Sequence, residues 1–204
     1  LEKKMQEFLD FYTTTNVDVP SDFEERVREI WERNSDEIQR GIEEKGFNDM
    51  LIVPANLSLH ALSQKMKMEN GYYDAIKTNK TAADLAGIPF VSTGVDAHRI
   101  ILVHNAQNLA DHPELAKTKG KKAQDITLDE SLSLEDYLVF QKKYHQETGK
   151  HLDEEGWTWL TRTKSGARFV CGGWGPFARG LDVGADVAGY SSSGLGSRPS
   201  RYFI

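Results

Sequence analysis

The sequence predicts an α+β domain on three observations. Amphipathic helical periods dominate the first half, short apolar runs bounded by turn residues dominate the second, and no regular strand–helix alternation builds a parallel sheet. The chain has 204 residues, 39% hydrophobic and 10% aromatic, enough for one sizeable core and outside the composition of disordered chains. No run approaches the roughly 18 consecutive apolar residues of a membrane helix, so no membrane insertion is expected. The opening LEKKMQEF lacks the apolar core of a secretory leader, so cytoplasmic placement is the default expectation and the compartment otherwise stays open. The single cysteine, Cys171, excludes an internal disulfide and a multi-cysteine metal cage.

MQEFLDFY (5–12) gives an amphipathic turn or two, which NVDVP (16–20) breaks. SDFE (21–24) then reads as a capping box, with the Ser21 oxygen and the Glu24 carboxylate each meeting a backbone N–H. Phe23, Val27, Ile30, Trp31, Ile38 and Ile42 continue at helical spacing, and Gly46 stops the helix. MLIV (50–53), closed by Pro54, reads as a strand. Leu59, Leu62 and Met66 suggest a helix over 57–68, and GYYDAIK (71–77) begins another. IPFVS (88–92) and RIILVHN (99–105) read as strands with Gly94 and Asp96 in the turn between them. Residues 106–130 are polar and Lys-rich without a period, and read as a long surface excursion. A second capping box, SLED (133–136), opens a helix through Tyr137, Leu138, Gln141 and Tyr144, stopped by Gly149. WTWL (157–160), ARFV (167–170) and PSRYFI (199–204) complete the strands.

Charge is unevenly placed. The net charge is −6, but from Gly156 onward six basic residues face only Asp182 and Asp186, a net +4 that leaves −10 on the first 155 residues. A basic block raises the question of nucleic acid. These residues (Arg162, Lys164, Arg168, Arg179, Arg198, Arg201) stand singly among glycine and apolar neighbours, as structural arginines do, so no nucleic-acid partner is expected.

Three patterns bear on chemistry. Asp96, His98 and His104 would share one face of an extended chain, and a carboxylate with two imidazoles is a metal-ligand set. At about 3.3 Å per residue, however, His98 and His104 lie about 20 Å apart on an unbroken strand, so hydrogen-bonded imidazoles are expected and no metal. Cys171 lacks flanking residues of a cysteine-enzyme signature and reads as a small buried hydrophobe. Gly172-Gly-Trp-Gly175 is not a phosphate loop, and Trp157, Trp159 and Trp174 read as core. No cofactor is expected.

The least constrained stretch is CGGWGPFARGLDVGADVAGYSSS (171–193), rich in small residues and followed by a well-specified terminal strand. Within it, Leu181, Val183 and Ala185 alternate with Gly180, Asp182, Gly184 and Asp186. A strand would send the first three to the core and the others outward.

GWTWL, TKSGARFV, the spacing of Trp174, Pro176 and Arg179, and RPSRYF together resemble the C-terminal half of variable proteins diversified by diversity-generating retroelements. FEERVREIWERNSDEI, GFNDMLIVP, GYYDAIK and LEDYLVFQKKYHQETGKHL are similar to upstream parts of the same group, so the resemblance spans nearly the whole chain and is strongest from Trp157 onward. It implies a C-type lectin-type fold of the formylglycine-generating-enzyme-like subclass. An N-terminal helical extension (1–46) would precede a lectin-like domain (47–204) with a variable region of about 166–204. In such proteins, adenines of asparagine codons are miscopied, which yields many residue types but not Lys, Glu, Gln, Met or Trp. None of Lys, Glu, Gln or Met occurs after Lys164. No asparagine remains there either, so either this copy is heavily diversified or the fixed and variable positions divide differently.

The function the resemblance implies is non-catalytic ligand binding through a hypervariable surface, with a macromolecular partner, a protein by class. The implied contact residues are Cys171, Gly172, Gly173, Gly175, Phe177, Ala178, Gly180, Asp182, Gly184, Asp186, Val187, Ala188, Gly189, Tyr190, Ser191, Ser192 and Ser193, with Ser197 added. Phe177 and Tyr190 are the large anchors among them. A structural or assembly protein of the same fold is the alternative. An enzyme of the formylglycine-generating type is disfavoured, because that chemistry uses a pair of cysteines. Calcium-dependent sugar binding would need more oxygen ligands than Asp182 and Asp186 provide.

Overall fold

The structure, a computed structural model, describes residues 1–57, 62, 77–78, 90–175 and 180–204. The helices expected over 57–68 and 71–77, and the residues Pro176, Phe177, Ala178 and Arg179, fall wholly or mostly outside these.

Helix α1 (Glu2–Thr14) is longer than its short apolar pattern suggests, and it buries Met5, Phe8, Phe11 and Tyr12. Helix α2 (Phe23–Lys45) buries Phe23, Val27, Ile30 and Ile38 along one stripe and ends at Gly46, whose φ of 71° is the left-handed conformation glycine adopts most readily. The capping box expected at 21–24 does not form. Asp22 occupies the N-cap without capping through its side chain. Its carboxylate instead lies 3.3 Å from His98 Nε2 and 3.8 Å from Arg26 Nε. The helix starts one residue later than the box requires, and Glu24 pairs with Arg28 at 3.1 Å instead of turning back to a backbone N–H.

Strands β1 (Asp49–Val53), β4 (Arg99–Val103) and β9 (Ser200–Phe203) form a three-stranded antiparallel sheet in the order β1-β4-β9. Every residue of the central strand β4 is buried: residues 100–103 form a continuous apolar run, and Arg99 is paired. Helix α2 packs so closely on it that a Cβ on Gly41 would collide with Leu102. The second sheet runs β2 (Lys77–Thr78), β7 (Gly180–Asp186), β6 (Arg168–Gly175), β5 (Trp157–Ser165), β3 (Phe90–Ser92), with β8 (Leu195–Ser197) also paired to β5. Neighbours β5, β6 and β7 are antiparallel, whereas β8 runs parallel to β5. Helices and mostly antiparallel sheets make the class α+β. One apolar cluster joins α1 and α2 to β1, β4 and the helix Leu134–Thr148, so residues 1–46 contribute to the same core as the strands.

The segment 106–130 is not a bare excursion. It contains three single turns of 3₁₀-helix and a short helix α3 (Pro113–Ala116), and it buries Leu109, Leu115, Ala123 and Ile126. Ala123 and Ile126 close a second small core with Trp159, Cys171 and Leu195. Short turns present no repeating stripe, which is why periodicity did not reveal this.

Helix α4 (Leu134–Thr148) carries the cap that the sequence predicted: Ser133 Oγ accepts from Asp136 N at 3.1 Å, and Gly149 ends the helix at φ 71°. Asp136 is also half of a buried ion pair. Arg99 donates to its Oδ1 at 2.9 and 2.7 Å and to the carbonyls of Pro54, Val95 and Ala97, while Ser133 and Tyr202 hydroxyls donate to Oδ2. A second pair joins Arg198 to Asp153 at 2.8 and 3.2 Å, with Arg198 also reaching the carbonyls of Ala106 and Gln107. Arg162 donates to Leu128 O and Ser131 O and lies 3.7 Å above the Tyr202 ring. These guanidiniums tie irregular segments to the sheets, because one planar fork satisfies several acceptors at once.

Two buried histidines give the fold an acid limit. Burial, then the neighbouring His112, lowers the His104 pKa to about 4; burial, then His145 and Lys142, lowers that of His151 to about 3. The unfolded chain binds these protons near pH 6.5 and the folded one does not, so this stability is complete above about pH 6.5 and is lost as pH falls through about 4 and then 3. Burial raises the Glu135 pKa, an effect of opposite sign that is lost as pH rises. Urea midpoints should therefore fall between about pH 7 and pH 4. His151→Phe, which keeps a ring between His145 and Trp174, should make that fall smaller. An unchanged slope in His151→Phe would remove His151 from the explanation.

Candidate ligand-binding surface

The antiparallel register of β6 and β7 sorts the unusual stretch into two faces. Cys171 pairs with Gly184, Gly173 with Asp182 and Gly175 with Gly180, while Val170, Gly172 and Trp174 pair with Ala185, Val183 and Leu181. The second set faces the main core: Leu181 and Val183 are buried, and Ala185 packs partly against them. The alternation read from the sequence is thus present.

The outward set is largely covered, which corrects the expectation that all of it meets solvent. Cys171 lies in the second core, beneath Ala123 and Ile126, and Trp159 Nε1 donates to Lys121 O at 3.1 Å. Gly180 and Gly184 are buried too. Gly172 lies on the core side, where a Cβ would stand 2.9 Å from the Tyr137 ring. Gly173 is closed on its own face, with a Cβ 2.5 Å from Gly156 O. Ser197 is 0% exposed: its N–H donates to Thr118 Oγ1 at 2.8 Å and its hydroxyl to Glu130 O. In this chain these six positions offer little or no side-chain surface to a ligand. Gly175, Asp182, Asp186 and Ala188 are half-buried; Phe177 and Ala178 lie outside the described residues.

What remains open is the loop after β7. Val187 and Tyr190 are 54% and 45% exposed, and Gly189, Ser191, Ser192 and Ser193 are exposed beside them. Main-chain bonds hold this loop. Gln124 N donates to Ala188 O at 3.2 Å, Tyr190 N to Val187 O at 3.0 Å, Leu195 N to Ser192 O at 3.0 Å and Trp157 N to Gly194 O at 2.8 Å. Among the residues of 187–193, none supplies its side chain to the large core cluster. Backbone anchorage leaves side-chain identity uncommitted, since an amide donates whatever its Cβ carries.

A neighbouring row of residues was not singled out by the sequence. Register places Val91 beside Lys164, Lys164 beside Phe169 and Phe169 beside Asp186. Val91 is 70% exposed, and Lys164 Nζ sits 4.9 Å above the Phe169 ring. This row leads across the sheet to Val187. Lys164 and Phe169 lie on either side of the turn joining β5 to β6, so only strand register could have pointed to them.

Cys171, His98 and His104 are tied into the fold. Burial, then Asp186, pushes the Cys171 thiol up to about 12, so it stays protonated and unreactive at neutral pH. His98 Nδ1 accepts from Ala55 N at 3.0 Å, which leaves Nε2 to face Asp22. His104 Nδ1 contacts Gly46 O at 3.1 Å at the far end of β4, so the two histidines do not converge. Among the described residues no cluster of three His, Cys, Asp or Glu side chains could hold a metal ion, and no helix is long and apolar enough to cross a membrane.

No protein family, curated protein or solved structure matches the chain.

Proposed function

We propose that this protein binds a macromolecular ligand, a protein by class, through a retroelement-diversified surface on a C-type lectin-type fold, without catalysis. The fold subclass and the diversification rest on the sequence resemblance from Trp157 onward. The observation that carries the binding surface is the loop 187–193, held by main-chain bonds while its side chains point to solvent. Asp182, Asp186 and Gly175 border it, and the row Val91–Lys164–Phe169 extends it. Because aromatic anchors supply much of an interface's binding energy, Tyr190 is its principal contact.

Two observations test this. The first is the DNA around the gene: a near-copy of the codons for 166–204, differing only at adenines and beside a reverse transcriptase gene, is expected. A locus lacking both would contradict diversification. The second is Tyr190→Ala, which should move Tm by no more than about 2 °C, since an exposed side chain away from caps and cavities changes stability by roughly 0.5 kcal/mol. A much larger drop would mark Tyr190 as a framework residue and end its role as an adjustable contact.

A further inference from the structure

The Lys-rich segment 109–126 lies as a strap across β8 and the base of the loop 187–193. Gly120 N donates to Leu195 O at 2.8 Å, Gln124 N to Ala188 O at 3.2 Å and Ser197 N to Thr118 Oγ1 at 2.8 Å. The contact is close: a Cβ on Gly196 would stand 2.7 Å from Leu109 and 2.8 Å from Thr118. Within the strap, helix α3 is capped by an imidazole instead of the usual hydroxyl, carboxylate or amide. Glu114 N lies 3.3 Å from His112 Nδ1. An N–H only donates, so that nitrogen must be bare, and a proton on it removes the cap.

The His112 ring lies 4.4 Å from that of His104, which is buried and stacks on Phe47 at 4.6 Å. His104 Nδ1 faces Gly46 O, a pure acceptor, so its proton sits on Nδ1. Facing the two imidazoles are Arg198, paired with Asp153, and, from the strap itself, Asp111, bonded to Asn108, and Glu114, paired with Lys117. Glu114 favours a charge on His112, yet that charge cannot coexist with the cap. Protonation and closure of the strap exclude each other.

We propose that the strap is an acid-released clasp: it holds the loop 187–193 in place while His112 is neutral and lets go when His112 takes a proton. Histidine is the side chain that ordinarily changes charge between about pH 5 and 8, so the surface is ordered in neutral medium and loosened in mildly acidic medium. The clasp rests on the proposed function only for its purpose. Its motion is measured with no ligand present, so either reading can fail alone.

The test is amide hydrogen exchange of the intact chain by NMR, each rate divided by its intrinsic rate at that pH. Between about pH 7.5 and about pH 5.5, protection at Glu114, Thr118, Gly120, Gln124 and Ser197 should fall roughly 3- to 30-fold, as losing a helix cap produces. Ile101 in β4 should not change. The fall should track the protonation of His112 in the imidazole spectrum. His112→Asn, whose side-chain oxygen caps without titrating, should match the parent at neutral pH and then lose less than about twofold. His112→Ala should exchange fast at both pH values. The proposal is overturned by strap protection that does not change with pH, by an equal fall at Ile101, or by a fall that tracks another histidine. Parent-like protection of His112→Ala at neutral pH, or a parent-like fall in His112→Asn, overturns it as well.

Discussion

Asp153→Ala should destabilise the protein by roughly 3–5 kcal/mol, the largest single-residue loss expected here, because removing one partner of a buried pair strands the other charge in a low-dielectric site. Arg198 and Asp153 are both fully buried. Besides Arg198, Asp153 Oδ2 accepts from the Tyr137 hydroxyl and from Thr158 Oγ1, each at 2.8 Å. Its backbone matters as well: its N–H donates to Gln107 O at 2.7 Å and its carbonyl accepts from Trp174 N at 3.1 Å. The residue therefore pins the segment at 106–107, helix α4, β5, β6 and the turn before β9 at one point. Asp153 also sits at a φ of 57°, a region asparagine tolerates better than alanine. Asp153→Asn should thus keep the backbone while removing the charge, and its loss isolates the ion pair. Urea unfolding at neutral pH measures both. A loss below about 1 kcal/mol in the alanine variant would mean that Arg198 is hydrated or finds another acceptor.

Gly173→Ala should cost about 1–3 kcal/mol, and Gly173→Asp more, whereas Gly189→Asp should stay within about 0.5 kcal/mol. All three substitutions fall inside the same unconstrained-looking stretch. A Cβ at Gly173 would stand 2.5 Å from the Gly156 carbonyl oxygen and 3.3 Å from the Trp157 ring, so backbone must move. A Cβ at Gly189 meets nothing within 4 Å. An aspartate at position 173 adds a charge beside that carbonyl, where no donor compensates it. Thermal melts of the three variants separate them. Equal melting points for Gly173→Asp and Gly189→Asp would show that β6 can shift to admit side chains, and the closed part of the surface would then be open to diversification.

These contrasts mark where the sequence could be read and where it could not. Helix α2 was legible because Phe23, Val27, Ile30 and Ile38 repeat at helical spacing, and the Ser133 cap because its partner lies three residues away. Leu181, Val183 and Ala185 were legible as the inner face of β7 by their period of two. The capping box at 21–24 failed because the helix begins at Phe23, which puts Asp22 rather than Ser21 at the N-cap, and because Glu24 pairs with Arg28. Glycine was the deeper difficulty. Gly173 and Gly189 look alike in a sequence because neither carries a side chain that declares its surroundings. Which of them is closed depends on Gly156 and Trp157 at one and on open solvent at the other. The cover that 121–126 lays over Trp159 and Cys171 was equally hidden, since single 3₁₀ turns impose no repeat. Within the candidate surface, the loop 187–193 was the part that its small, unpatterned residues did announce.

On the proposed surface, this loop is free to vary while the adjoining strands are not. The most direct measurement is a pair of displayed libraries, one randomising 187–193 and the other 171–173, 180 and 184, scored by protease resistance. Most members of the first library should remain folded and few of the second. Equal resistance in the two libraries, or collapse of the first, would contradict it.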